Sequence, residues 1–298
     1  MIKISVILAI RDGEKYIAFL NNVFDKIESL NQNQNQNQNQ KQNSTDYDYE
    51  FEYFIYENNS IDNTKEQIKD FYKKKERKGK YFLESIDNNT VKTGINFERG
   101  AHMANLRNKL KDFHGQLVSD YVLLLDCDAV FTANTIEQLI NTMNDKIVMT
   151  SPFCISWKQF LYDKCVHYYD TFAVITKEGL TYKNTYNSCL FKSCILCSNF
   201  RKNNNINIDE QYLFSCDKLI EVKSAFGSIS LIKTNVYNNV KWESTICEHH
   251  SFCEQINKYG SIVINPQIKS FTTEPTLTNY NEIEKELINI EFFLYNNK

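Results

Sequence analysis

The spacing of apolar residues is regular over the first half of the chain and broken over the second. Ile2–Ile10 is a near-continuous β-branched and apolar run, the pattern of a strand covered on both faces. Gly13 permits a turn, and residues 14 to about 30 predict a helix with Tyr16, Phe19, Leu20, Val23, Phe24 and Ile27 along one side. Further strands are expected at 51–56, 81–86, 121–125 and 146–150. Between them fall three helices. One is capped by Ser60 or Asp62 and runs to about Lys75. A second, over 98–113, carries Met103, Leu106, Leu110 and Phe113 at helical spacing. The third ends near Met143, with Asn134 and Glu137 as its capping box. Buried strands alternating with helices predict an α/β fold: a mostly parallel central sheet with helices on both faces, of Rossmann-like type, over residues 1–150.

Two stretches depart from this rhythm. The strict Asn-Gln alternation from Asn31 to Gln40 cannot bury apolar surface, so 31–45 is expected to be a disordered surface insertion. Beyond Ser151 an aromatic-rich stretch (157–172) and a cysteine-rich one (189–216) precede a return to order. There, 222–234 holds the apolar run 229–232, 248–258 predicts a helix, and 261–264 predicts a strand closed by Asn265-Pro266. A tail with one helix near 282–290 completes the chain.

Composition narrows the class. With 298 residues, 42% hydrophobic, the chain is large enough for a substantial core. A net charge of −3 provides no basic face for nucleic acid, so none is expected as partner. No segment reads as a signal peptide, and no apolar stretch reaches the roughly 18–20 residues that span a bilayer. The nine cysteines are therefore expected as reduced thiols in a soluble, cytoplasmic protein without a transmembrane segment.

The chemistry is concentrated at Asp126-Cys127-Asp128, directly after the apolar strand 121–125. In open parallel sheets ligands bind where strands end. Carboxylates two residues apart can turn toward one hard cation, Mn²⁺ or Mg²⁺, and that cation can bridge a diphosphate. An isolated Asp-x-Asp more often caps a turn, so its context decides. Cys194-x-x-Cys197, with Cys189 and His167 or Cys165, has workable zinc spacing, but lacks a second Cys-x-x-Cys pair. Trp157 and Trp242 are candidates either for stacking on an acceptor or for the core.

From Lys3 to Pro266 the order of motifs resembles family-2-like glycosyltransferases of the GT-A fold. Residues 5–13 look like their opening strand and nucleotide loop, and 54–64, with Glu57-Asn58-Asn59-Ser60-Ile61-Asp62-Asn63-Thr64, is similar to their second strand and its acidic ending. Asn105-Leu106-Arg107-Asn108 resembles the helix before the metal strand, and Leu124-Leu125-Asp126-Cys127-Asp128 resembles the DxD metal motif. Residues 247–253 and 259–266 resemble the helix, glycine, strand and proline that close the acceptor site. The resemblance implies a nucleotide-sugar-binding half (1–150), an acceptor-binding half of the same domain (151–266) and a C-terminal tail (267–298). It implies transfer from a nucleotide-diphosphate sugar, UDP-linked in the first instance, to a hydroxyl on a glycan, protein or lipid. Ala9, Ile10, Arg11, Glu57, Asn58, Ser60, Arg107 and Asp126 are expected at the nucleotide sugar; Asp126 and Asp128, with His249 as a further ligand, at the metal. The pattern departs at Glu248-His249, where the family has Asp second: His249 or Glu248 is then the catalytic base, and inversion or retention stays open.

Two other readings compete. A nucleotidyltransferase shares the sheet and carboxylates, but wants a glycine-rich phosphate loop that Ala9-Ile10-Arg11-Asp12-Gly13 lacks. A non-catalytic carbohydrate-binding protein on a decayed transferase fold would have no need to retain both Asp126 and Asp128.

Overall fold

A computed structural model describes residues 1–36, 48–85, 97–156, 168–170, 173–177, 179, 218–243, 245, 247–272 and 285. In chain order the strands are β1 (Ile2–Ile10), β2 (Tyr49–Asn58), β3 (Gly79–Glu84), β4 (Tyr121–Asp126), β5 (Ala129–Val130), β6 (Ile147–Ser156), β7 (Ile175–Thr176), β8 (Ile220–Ser224), β9 (Ile229–Lys233) and β10 (Ser261–Thr272). The helices are α1 (Glu14–Gln36), α2 (Thr64–Lys73), α3 (Phe97–His114), α4 (Ala133–Thr142), α5 (Thr234–Asn238) and α6 (Glu248–Ile256).

The expected α/β architecture is present. β1 pairs in parallel with β2 on one side and β4 on the other, and β2 pairs in parallel with β3. Ile4, Val6, Ile7, Leu8 and Val122–Leu125 are all buried, because helices cover both faces of these central strands. α1 packs on α2 and α4, while α3 packs on α6, as two separate helical layers. The parallel register sets Ala9 beside both Tyr56 and Asp126, and Ile10 beside Glu57. The strand ends therefore form one rim.

The sheet runs β3-β2-β1-β4-β9-β6-β10-β8-β7, with β5 paired to β10. β9 lies antiparallel between β4 and β6, so the strand that follows β4 and α4 is not its neighbour. The long ladders, β1 with β2 and β6 with β10, are parallel.

Several element limits differ from the periodicity. α1 continues through Gln36, six residues into the Asn-Gln tract; a polar run can extend a helix already nucleated on an apolar face. The remainder of the expected insertion, 37–45, lies outside the described residues. α4 begins at Ala133, and its cap is Thr132, whose backbone N–H donates to Thr135 Oγ1 (3.2 Å), not Asn134 and Glu137. β10 does not stop at Pro266. It shifts register against β6 between Asn265 and Lys269 and continues to Thr272, the irregularity absorbing the missing proline N–H. The helix expected at 282–290 falls outside the described residues apart from Lys285.

Candidate active site

The β1–α1 and β2–α2 loops are tied together at the rim. Asp12 adopts φ +48° and donates its N–H to Ser60 Oγ (2.9 Å), while Gly13 N–H donates to Thr64 Oγ1 (2.8 Å). In return, Ile61 N–H donates to Asp12 Oδ1 (2.8 Å). Glu57 is fully buried: Oε1 accepts from Ser60 N–H (2.6 Å), and Oε2 has no hydrogen-bond partner among the described residues, with Lys65 Nζ 3.9 Å away. Arg11 pairs loosely with Asp12 (3.5 Å) and stays partly exposed. Ser60 thus fixes the loop, while the Ala9–Arg11 backbone and the inner oxygen of Glu57 border the rim.

Arg107 joins the rim to the second half of the chain. It is buried in α3, and its Nη2 donates to Asp126 Oδ1 (3.0 Å), its Nε to Glu248 Oε1 (3.3 Å). Nη2 also lies 3.3 Å from His249 Nε2. A guanidinium can only donate, so Nε2 is the bare nitrogen of a neutral imidazole and the proton sits on Nδ1. That Nδ1 is buried with no hydrogen-bond partner among the described residues. The ring stacks on Phe226 at 4.1 Å between centroids, and Arg107 lies 5.3 Å from the same ring. Burial pushes His249 down to about 3, with Glu248 acting the other way and Arg107 reinforcing it. The ring is therefore neutral near pH 7, and its lone pair faces Arg107. Burial raises Glu248, but the positive charges of His249, when protonated, and Arg107 bring it below its ordinary value.

Asp126 is 37% exposed at its side chain and is anchored by its own N–H to Ser228 O (2.8 Å). Burial raises its carboxyl against the pull of Arg107. Asp128, half-buried, is pushed up to about 7, first by burial and then by the charge of Asp126. No three His, Cys, Asp or Glu side chains converge as a ligand set among the described residues.

The motif reading overlooked Asp170. This half-buried carboxylate accepts through Oδ2 from Gly227 N–H (3.1 Å). Gly227 and Ser228 both have positive φ (+66° and +61°), so the chain between β8 and β9 turns sharply. That turn carries Phe226 to His249, Gly227 to Asp170 and Ser228 to Asp126. Asp170 stands alone between Tyr169 and Thr171, and no periodicity marks it. Trp242 resolves to the core, buried and stacked on Phe252 at 4.1 Å and 3°. Trp157, His167, Cys165, Cys189, Cys194 and Cys197 lie outside the described residues.

The family model described as glycosyl transferase family 2 matches residues 27–204, more than half of the chain. The chain belongs to glycosyl transferase family 2. That match takes in the rim from β2 to β4, including Glu57, Arg107, Asp126 and Asp128, as well as Asp170. No curated protein matches the chain. Among solved structures, S. aureus TarS 1-349 in complex with UDP is 15% identical, with 97% of this chain and 65% of that one covered and a TM-score of 0.46. The mannosyltransferase PcManGT from Pyrobaculum calidifontis, in complex with GDP-Man and Mn²⁺, is 10% identical over 90% of this chain and 56% of that one, at 0.45. The inositol-1-phosphate CTP transferase from T. maritima is 10% identical over 96% of both chains, also at 0.45. The chain thus spans 65% of the length of the TarS 1-349 structure. No helix among the described residues is long and apolar enough to cross a membrane.

Proposed function

We propose that this family-2 chain transfers a sugar from a nucleotide-diphosphate sugar, with UDP the first nucleotide to test, to a hydroxyl acceptor on a glycan, protein or lipid. The observation that carries the reading is the Arg107 bridge. One buried guanidinium binds Asp126 at the end of β4 and Glu248 at the start of α6, so the rim carboxylates and the acceptor-side corner form a single cluster.

On the donor side, the backbone from Ala9 to Arg11, with Glu57, Asn58 and Ser60, holds the nucleoside. Glu57 Oε2, buried beside Ile10 and without a hydrogen-bond partner among the described residues, supports a role as acceptor for a ribose hydroxyl or a base imide. Asp126 and Asp128 suit a divalent cation by the chemistry of their oxygens, and Asp128 has no cationic side chain paired with it among the described residues. Mn²⁺ or Mg²⁺ bound there supplies charge neutralisation for the departing diphosphate. The 1–150 half serves the donor and the 151–266 half the acceptor. Glu248, ionised, and His249, neutral, border the acceptor hydroxyl. Because Arg107 engages both, His249 joins the cation or takes a proton only if Arg107 releases it.

The test is a thermal-shift series with UDP and GDP, with and without Mn²⁺. A uridine or guanosine diphosphate should stabilise the protein only when metal is present, and Asp128→Ala should abolish the shift. An equal shift without metal would count against the role given to Asp126 and Asp128.

A further inference from the structure

We infer that Asp170 is the catalytic base that receives the acceptor's proton. This rests on the transferase reading above and supplies the group that reading leaves open.

Geometry selects it. A base needs a lone pair free to meet the incoming hydroxyl and no guanidinium drawing on its charge. Glu248 spends Oε1 on Arg107, and His249 turns its bare nitrogen to the same guanidinium while its ring lies flat on Phe226. Asp126 is likewise bound by Arg107. Asp170 is held only by backbone N–H groups, Gly227 on Oδ2 and Ala173 beside it, and no cationic side chain acts on it among the described residues, so its carboxylate keeps lone pairs that no guanidinium claims. Its position follows from the β8–β9 turn, whose next residue, Ser228, grips the Asp126 backbone and whose preceding residue, Phe226, carries His249. Asp170 therefore stands close enough to the cluster for Asp126, Asp128 and Glu248 to act on it electrostatically. Burial pushes its carboxyl up to about 6, against the N–H groups of Gly227 and Ala173, which suits a proton acceptor working near neutrality.

The step balances simply. The acceptor oxygen forms its bond to the anomeric carbon as its proton passes to Asp170. The bond from that carbon to the diphosphate oxygen breaks, and its electron pair leaves with the nucleoside diphosphate. Asp170, now a carboxylic acid, returns the proton to water.

Water can act as the acceptor, so the assay is UDP release from UDP-glucose, UDP-galactose and UDP-N-acetylglucosamine with Mn²⁺. Asp170→Asn keeps an oxygen for Gly227 N–H and should lower release at least 100-fold while leaving the Mn²⁺-dependent UDP thermal shift unchanged. Asp170→Gly should regain at least tenfold of its lost rate in sodium formate, a carboxylate small enough to fill the gap. Release within threefold of wild type in Asp170→Asn overturns the assignment, as does loss of the UDP shift or failure of formate to rescue. Wild-type protein that neither shifts with UDP and Mn²⁺ nor releases UDP sinks the transferase reading instead, and this proposal with it.

Discussion

Arg107→Met isolates what the buried guanidinium does for the fold. Methionine keeps most of the stem's volume but removes the charge that faces Asp126 at 3.0 Å and Glu248 at 3.3 Å. With charges about 4 Å apart and an effective dielectric near 20, each pair is worth about 4 kcal/mol before desolvation. Asp126, at 37% exposure, can turn to water when the partner goes, so its pair contributes little. Glu248, at 9%, cannot, and breaking a buried pair this way costs about 3–5 kcal/mol. We expect a loss near the lower bound, about 3 kcal/mol at pH 7, or a fall in Tm of about 6 °C for a chain this size. Urea unfolding of Arg107→Met, Glu248→Gln and the double variant measures it. Because the penalty is an orphaned carboxylate, adding Glu248→Gln should recover at least half of the loss. Arg107→Met within 1 kcal/mol of wild type, or a double variant showing the plain sum of the two losses, would refute the bridge as the tie between α3 and α6.

Two further outcomes follow from other buried groups. His114 is pushed by burial down to about 4, its Nδ1 at 2.6 Å from Gly115 O and its Nε2 at 3.1 Å from Tyr237 Oη. Unfolded, it titrates near 6.5, so between those values only the unfolded chain binds the proton, and stability falls as pH drops through that window and levels below it. From pH 7.5 to pH 5 the loss from this residue is about 2 kcal/mol; denaturant titrations should find it missing in His114→Gln, and an equal decline in both proteins would contradict it. Gly79 opens β3 at φ +118°, where an added Cβ would stand 1.9 Å from Tyr53 O. Gly79→Ala should cost about 3 kcal/mol by prising β3 from β2, seen as faster exchange of the β3 amides; unchanged exchange would mean the edge strand shifts freely.

The first half of the fold was legible because its signals are local. A strand such as Ile2–Ile10 is apolar at nearly every position only when both faces are covered, and the helix spacing of Met103, Leu106 and Leu110 needs no knowledge of partners. Element ends were harder. α4 starts on the hydroxyl of Thr135, a weaker cue than the Asn134 and Glu137 pair that outcompeted it on paper. Pro266 ordinarily closes a strand, yet β10 passes through it, because the change of register leaves that position outside the ladder with β6. The Asp126-Cys127-Asp128 pair could be singled out only from its context, directly after the buried strand β4 where ligands of such sheets bind, and its role belongs to the proposal. The meeting of Asp126 with Glu248 was not legible, since 122 positions separate them and only Arg107, on a third element, joins them.

The insertion of β9 shows why the rest was hidden. An apolar run at 229–232 says that a strand will be buried, but pairing with β4 or with β6 would bury it equally well. Its place between them is fixed by the turn that precedes it. With Gly227 and Ser228 both in left-handed conformations, the chain leaves β8 and reverses beside Asp126, whose N–H then bonds to Ser228 O. A β-branched residue at 227 would resist that conformation and crowd Cys154 and the Pro152 carbonyl, so the turn depends on glycine there. One short turn thereby sets the depth of Asp126, the support of His249 and the anchor of Asp170. The residues it places are far apart in sequence, and their convergence is a property of sheet order, which no window of the sequence contains.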